Sequence, residues 1–178
     1  QPNAQTTIYV DSTASGGNNG ISWSNAYNKL TPALAEANNM QGTVFIKIAK
    51  GTYYPAEKTG SNPAHRDSSF RILRDSIQLF GGYANGGGRR QNFNEFRVIL
   101  SGDIGIQNDT SDNCRQVMVL GNSSPVKNIN LTETIINGLT FTAGNSSADG
   151  GGLLISYGNI SLFTTLYLGI TISDCTFI

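Results

Sequence analysis

Two related strings of residues, 36 positions apart, constrain this chain more than any other feature. Residues 135–145 are IINGLTFTAGN and residues 172–178 are ISDCTFI. The strings align at four positions, where Ile136, Leu139, Thr140 and Phe141 match Ile172, Cys175, Thr176 and Phe177. Apolar residues recur at short intervals, and a turn-forming Asn-Gly or Ser-Asp pair precedes each final strand. A supersecondary unit that returns along an axis is the signature of a solenoid.

Short runs of β-branched and aromatic residues predict many strands. They lie at 7–10, Thr43–Ala49, 70–73, 76–80, 97–100, 116–120, 129–131, 135–142, 152–156, 161–168 and 170–178. The runs mix alternation with continuous apolar stretches, which is typical of parallel sheets buried by stacking. A β-sandwich is the main alternative, although Asn-Gly hairpin turns are scarce.

A helical pattern precedes most of the strands. One helical face would hold Trp23, Ala26, Tyr27, Leu30, Ala33, Leu34 and Ala37. We expect a turn of helix at 23–28 and a longer helix at 32–38, with Thr31 as N-cap and Pro32 in the first helical position. A lone amphipathic helix ahead of a strand array would cap the core and the strand edges of the first turn.

Composition restricts the classes of partner. Twelve basic residues balance twelve acidic ones, and charged residues make up only 13% of the 178-residue chain. A nucleic-acid binder needs a basic stripe, so no nucleic-acid partner is expected. No apolar run approaches the ~20 residues of a membrane span. Because the first residue is Gln1, we expect a secreted protein whose signal peptide is removed, located outside the cell or at its surface.

Several motifs resemble bacterial right-handed parallel β-helix proteins of the pectin-lyase-like superfamily. They include Tyr9-Val-Asp11, Asn18-Asn-Gly20, Ser22-Trp23, Lys50-Gly-Thr-Tyr53, Leu79-Phe-Gly-Gly-Tyr83 and Leu100-Ser-Gly-Asp-Ile104. Phe141-Thr-Ala-Gly-Asn145 and Gly151-Gly-Leu-Leu154 resemble the repeats of polymorphic outer-membrane-type surface proteins. The resemblance implies a right-handed parallel β-helix in a large, adhesin-like secreted or surface protein. Many such proteins carry a C-terminal export domain, in some bacteria of the type IX kind.

The domain prediction follows from the resemblance and the strand pattern. We expect one β-helix domain over 1–178, with an N-terminal strand and helical cap at 1–42 and β-helix coils at 43–178. Ile178 lies within a predicted strand, so this segment is expected to be the N-terminal part of a longer protein. Either the remainder of that chain or a partner chain would cover the open C-terminal end.

The richest polar cluster lies between 103 and 113. Its carboxylate and amide side chains, Asp103, Asn108, Asp109 and Asp112, could supply the oxygen ligands that Ca²⁺ prefers. The spacing does not match an EF-hand loop. The competing interpretation is that these residues make turns through backbone hydrogen bonds. The turn interpretation is favoured, and if the chain holds a cofactor, Ca²⁺ is the candidate that the cluster indicates. Cys114 and Cys175 are interpreted as free thiols rather than a disulfide, Cys175 in a core stack.

No catalytic constellation is visible in the sequence. His65 is the only histidine and lies in a polar stretch, so a Ser-His-Asp device is disfavoured. The arginines that could line a site for acidic sugars are Arg66, Arg71, Arg74, Arg89, Arg90 and Arg97. The favoured function is a non-catalytic binding or structural surface that contacts surface glycans or proteins. The alternatives are part of a polysaccharide lyase or glycoside hydrolase with its active site outside this segment, and a structural cargo subunit of a surface or secretion assembly.

Overall fold

The computed structural model describes residues 5–58, 66–122, 131–147, 150–157 and 169–178. Its helices are α1 (Leu30–Asn39) and a short 3₁₀ helix (Thr110–Asp112). Its strands are β1 (Gln5–Val10), β2 (Thr43–Ala49), β3 (Gly51–Tyr53), β4 (Phe70–Ile72), β5 (Ile77–Tyr83), β6 (Val98–Ser101), β7 (Met118–Asn122), β8 (Ile135–Asn137), β9 (Leu139–Thr142), β10 (Leu153–Tyr157), β11 (Thr171–Ser173) and β12 (Thr176–Phe177). The described chain is therefore mostly β, as predicted.

The strands form three parallel sheets. The first has the order β1-β2-β5-β8-β11, the second β10-β7-β4 and the third β12-β9-β6-β3. Every strand pair in the described residues is parallel. An antiparallel sandwich, the alternative drawn from the sequence, does not fit this pairing.

The prediction of a right-handed parallel β-helix solenoid is wrong. A single repeating unit predicts a constant separation between paired residues, but the separation varies widely along the first sheet. It is 38 positions from Ile8 to Ile46, 33 from Ile46 to Leu79, 57 from Leu79 to Ile136 and 36 from Ile136 to Ile172. The structure contains three separate flat parallel sheets with one α-helix, an α/β-like arrangement.

The alignment of the two related strings is confirmed as strand pairing. Ile136 pairs with Ile172 between β8 and β11, and Phe141 pairs with Phe177 between β9 and β12. The two phenylalanine rings stack with centroids 4.9 Å apart and an interplanar angle of 7°. The repeat thus predicts local register correctly, although it does not predict the architecture.

Inward-facing side chains of successive strands stack into columns. One column of the first sheet contains Ile8, Ile46, Leu79, Ile136 and Ile172. A column of the third sheet contains Tyr53, Leu100, Phe141 and Phe177. Buried residues of all three sheets and of α1 join in one hydrophobic cluster. Burial of this apolar surface is the main driving force for folding.

The helix differs from its prediction at both ends. It begins at Leu30 rather than at Pro32, and its N-cap is Lys29, which makes no side-chain capping bond. Pro32 still lies in the first turn, where its missing N–H leaves no helical bond unmade. The predicted helical turn at 23–28 is wrong, because these residues form bends, a turn at 24–25 and an isolated bridge from Tyr27 to Val10. Trp23 packs on Tyr9 and Tyr83, with ring centroids 4.9 and 5.2 Å apart.

Most predicted strands are present, with shifted ends. Thr43–Ala49 matches β2 at both ends, whereas the predicted strand at 135–142 is divided at Gly138 into β8 and β9. Gly51–Tyr53, which lies outside the predicted strands, is strand β3. The predicted strand 161–168 and most of 129–131 lie outside the described residues. Within the described ranges, no helix has the length and apolar character needed to cross a membrane.

Candidate functional site: a polar groove and an oxygen-rich loop

Residues 102–114, here called the 102–114 loop, contain the predicted calcium ligands. The backbone of Gly102 fixes one end of the loop, because its N–H donates to the carbonyl of Thr142 and its carbonyl accepts from Cys114 N, both at 2.9 Å. Cys114 is buried, and its thiol donates to the carbonyl of Gln116. Burial raises the pKa of Cys114 to about 12, so it remains a neutral thiol at physiological pH.

Two of the predicted ligands lie at the tip of the loop. Asp109 caps the 3₁₀ helix, because Oδ1 accepts from Ser111 N at 2.9 Å and from Ser111 Oγ at 2.6 Å. Both hydrogen bonds lower the pKa of Asp109, and the bond from the Ser111 hydroxyl has the larger effect. Asn108 is exposed and has a left-handed backbone, with φ of 67°. Both residues therefore make turns, as the competing interpretation of the sequence held.

The other two predicted ligands, Asp112 and Asp103, each have one buried carboxylate oxygen. Asp112 is 1% exposed, and its Oδ2 accepts from Ile106 N at 2.6 Å. Asp103 is half-buried, and its Oδ2 accepts from Lys58 Nζ at 3.2 Å. Within the described ranges, Oδ1 of Asp112, Oδ1 of Asp103 and Oδ1 of Asn113 are buried without a hydrogen-bond partner.

The structure thus separates the four predicted residues into two pairs and adds Asn113 to the inner pair. The described residues contain no group of three His, Cys, Asp or Glu side chains arranged to hold a metal ion. A site in the loop interior would combine two carboxylates with an amide oxygen.

A second polar region follows the outer face of the first sheet. The outward residues Tyr9, Lys47, Phe80, Asn137 and Ser173 pair in register across its five strands. The ammonium group of Lys47 lies 5.7 Å from the ring centroid of Tyr9. Aromatic rings and cations therefore alternate along an outer face that the sequence did not single out.

Arg90 packs against the middle of this face, at Phe80 and Asn137. Its guanidinium lies 5.0 Å from the ring centroid of Phe80 and 4.9 Å from that of Phe93. It donates to the carbonyl of Gly81 at 2.7 Å and to both oxygens of Asn137. Burial lowers the pKa of Arg90, while nearby acidic groups such as Asp174 oppose that shift. The guanidinium thus fixes the loop that carries Phe93 against the sheet.

Asn137 extends this network to the neighbouring strand. Its amide nitrogen donates to Ser173 Oγ at 2.6 Å and to Asp174 Oδ2 at 2.8 Å. Asp174 has a left-handed backbone, with φ of 53°, that places it at the bend between β11 and β12. The positions of Arg90, Asn137 and Asp174 are therefore interdependent.

Beside this network lies an open cavity of about 270 Å³, here called the Phe93 groove. Its lining is mostly polar and comprises Asn92, Phe93, Asn94, Arg97, Gly138, Thr140, Asp174, Cys175 and Thr176. Gly138 has φ of 73°, and a Cβ there would lie 2.5 Å from the ring of Phe93. Glycine at this position therefore lets the 92–97 segment approach the sheet closely.

Of the six arginines considered from the sequence, Arg97 and Arg90 belong to the groove region. Arg66 instead donates to the carbonyls of Asn113 and Asn145, and Arg74 to those of Ala37, Gly42 and Asp75. Arg71 lines an apolar hollow between α1 and β4, and Arg89 is exposed. His65 lies outside the described residues.

The hollow between α1 and β4 is larger, about 320 Å³, but more apolar. Asn38 spans its floor, because its amide donates to the carbonyl of Arg71 at 2.9 Å and accepts from Leu73 N at 2.8 Å. The side chain thus takes the place of a neighbouring strand along the edge of β4. We interpret this hollow as part of the packing of the helix.

The fold and the groove together define a mostly-β protein with parallel sheets and a polar surface groove. Comparisons with protein-family models, curated proteins and solved structures found no match for the chain. The resemblance to pectin-lyase-like proteins therefore stays a prediction.

Proposed function

We propose that this chain is a non-catalytic binding segment of a secreted or cell-surface adhesin-like protein, and that its Phe93 groove binds an oligosaccharide with an acidic sugar. The observation that carries the proposal is the lining of the groove. It combines hydroxyls, amides, one aromatic ring and an exposed arginine in one open cavity.

The lining matches the chemistry of a sugar chain. Sugars present hydroxyl groups, which Thr140, Thr176 and the amides of Asn92 and Asn94 can bind as donors and acceptors. They also present apolar C–H faces, which suit the ring of Phe93. A volume of about 270 Å³ is near the lower limit for small-ligand sites, so the groove would hold a short part of a longer chain.

Charge selects among sugars. Arg97 lines the groove and is exposed, and no hydrogen bond or ion pair of its guanidinium occurs among the described residues. A guanidinium binds carboxylate and sulfate groups with two parallel hydrogen bonds. Uronic, sialic and sulfated sugars are thus favoured over neutral ones.

Binding is favoured over hydrolysis by the number of carboxylates. Asp174 is the one carboxylate in the described lining, and its Oδ2 already accepts from Asn137. Glycoside hydrolases use a pair of carboxylates, about 5 to 10 Å apart, on either side of the bond that they cleave. Secretion and surface location are supported by the resemblance of the sequence motifs.

The test is a glycan array that carries sialylated, sulfated, uronic and neutral oligosaccharides, followed by calorimetric titration of the strongest acidic binder. We expect Arg97→Ala to raise its Kd about 10-fold, because one charge-assisted contact is lost. Arg89→Ala is the matched control, since Arg89 is also exposed but lies outside the groove lining. Absence of array binding, or equal losses in the two variants, would reject the proposal; release of new reducing ends would indicate an enzyme instead.

A further inference from the structure

We propose that the interior of the 102–114 loop binds a hard divalent cation, Ca²⁺ above all, through Asp112, Asn113 and Asp103. The site is separate from the Phe93 groove, and its test does not depend on sugar binding. It also differs from the ligand set that the sequence suggested, because Asn108 and Asp109 are at the loop tip and Asn113 takes their place.

Asp112 supplies the strongest argument. It is 1% exposed, and no cationic side chain bonds to it in the described part of the chain. The cationic side chains of Lys58 and Arg66 are already engaged, Lys58 with Asp103 and Arg66 with backbone carbonyls. A carboxylate removed from water without a counter-charge is strongly destabilising. A bound cation would supply that charge.

The carboxylate is held in place by the backbone opposite. Its Oδ2 accepts from Ile106 N, and Gly105 allows the approach, since a Cβ at Gly105 would lie 2.3 Å from Oδ2 and 2.7 Å from Oδ1. One oxygen of Asp112 is therefore fixed by the loop itself, and Oδ1 is left for a ligand.

Asp103 and Asn113 lie in sequence between two hydrogen bonds that join the two limbs of the loop, residues 102–106 and 112–114. The contact of Cys114 N with the carbonyl of Gly102 joins the two limbs at one end, and the contact of Asp112 with Ile106 N joins them at the other. Asp103 lies on the first limb, and Asn113, 4% exposed, lies on the second. Each has a buried Oδ1 without a partner among the described residues.

The donor set selects the kind of metal. Carboxylate and amide oxygens are acceptors only, so a buried one without a hydrogen-bond donor requires a cation or a water molecule as its partner. Oxygen ligands favour Ca²⁺ or Mg²⁺ over Zn²⁺ or Cu²⁺. The thiol of Cys114 is buried and already donates to the carbonyl of Gln116, so it is not counted among the ligands. The mixed and irregular set suits the flexible coordination of Ca²⁺ better than the octahedron of Mg²⁺.

The experiment measures thermal unfolding of the whole chain after treatment with EDTA, with and without about 10 mM CaCl₂, a concentration above the millimolar Kd of weak extracellular calcium modules. We expect Ca²⁺ to raise Tm by at least about 3 °C. MgCl₂ at the same concentration should have a smaller effect.

Variants assign the effect to the loop interior. Asp112→Asn keeps the shape of the side chain and an acceptor for Ile106 N but removes the charge, so Ca²⁺ affinity should fall at least about 10-fold by calorimetry. Asp109→Asn, at the exposed loop tip, is the matched control and should bind Ca²⁺ as the parent does. If Asp112→Asn does not fold, Asp103→Asn should show the same direction of change. A parent protein whose Tm and calorimetry do not respond to Ca²⁺, or a loss of binding in Asp109→Asn alone, would overturn the proposal.

Discussion

The columns of inward-facing residues are alike in chemistry at every strand but are not alike in burial. Ile136 is fully buried, whereas its partner Ile172 on β11 is 40% exposed. Phe141 is fully buried, whereas its partner Phe177 on β12 is 52% exposed. The alternation of residues therefore determines which way a side chain points. Coverage by other parts of the chain determines how much free energy it contributes.

The opposite end of the first sheet shows what coverage does. β1 is an edge strand, yet Ile8 is buried. The segment after β1 returns along its outer edge, where Tyr9 N donates to the carbonyl of Gly20 and Tyr27 N donates to the carbonyl of Tyr9, both at 2.9 Å. Backbone groups that an edge strand would expose are thus bonded by the chain itself.

The largest expected effect is the contrast between the two stacked phenylalanines. Phe141→Ala should lower the free energy of unfolding by about 4 kcal/mol, because it removes a fully buried ring and leaves a cavity. Phe177→Ala should cost about 1 kcal/mol, mainly the stacking contact. Urea denaturation of both variants measures the difference. Equal losses would show that the ends of the columns are as well covered as their middle.

A smaller effect is expected at the covered end, where Asp11 joins β1 to the loop after β5. Its carboxylate accepts from Thr13 N and Thr13 Oγ1 at 2.9 and 2.7 Å, from Asn85 Nδ2 at 2.9 Å and from Gly86 N at 2.7 Å. Asp11→Ala should therefore cost about 3 kcal/mol in urea denaturation. Asp67→Ala is the control, since its exposed ion pair with Arg115 should contribute less than about 1 kcal/mol.

The same carboxylate predicts a dependence on pH. Burial by itself would raise the pKa of Asp11, but the hydrogen bonds from Gly86, Thr13 and Asn85 outweigh it and hold the pKa below the ordinary value of 3.8. A lowered pKa contributes stability that is present above 3.8 and is lost as pH falls through the lower folded value. When the pH is lowered below about 4, the urea concentration at the unfolding midpoint of the parent should decrease, and that of Asp11→Ala should decrease less. Parallel curves for the two proteins would contradict this role.

The smallest expected effect, a chemical one, distinguishes the two free cysteines. Burial raises the pKa of both thiols, that of Cys114 to about 12. Cys175 is only half-buried, close to the exposed end of its column. A disulfide reagent at pH 8 should modify Cys175 first and Cys114 at least about 100-fold more slowly, until denaturant is added. Mass spectrometry of tryptic peptides identifies the modified residue, and faster labelling of Cys114 would reverse the comparison.

Local sequence patterns predicted strands and their register better than they predicted architecture. β-branched runs located β2 at both ends, and the related strings paired Ile136 with Ile172 as aligned. The apolar spacing around Trp23 predicted a helical turn that is not present. The Trp23 ring packs against Tyr9 and Tyr83 and does not lie on a helix face. The path between sheets depends on contacts between distant residues, which a single short repeat does not contain.

The same limit applies to the two candidate sites. The acidic cluster was visible in the sequence, but which of its members are buried depends on how the two limbs of the 102–114 loop pair, and only the structure shows this. The Phe93 groove brings together residues from 92–97, 138–140 and 174–176. The two related strings align 138–140 with 174–176, but nothing in the sequence joins either segment to 92–97. The sequence pattern indicates the arginines as a possible sugar site, but it does not indicate the aromatic residue beside them.

The long separation of paired strands has a consequence for the kinetics of folding. Among the described strands, paired residues are at least 33 positions apart, as between β2 and β5. The described strands therefore contain no local hairpin that could act as a rapid nucleus, and a large loop must close before their first ladder of hydrogen bonds forms. During synthesis at about 5 to 20 residues per second, β1 would wait several seconds until β2 is made. The refolding rate in dilute denaturant should accordingly resemble that of slow β proteins rather than that of helical bundles.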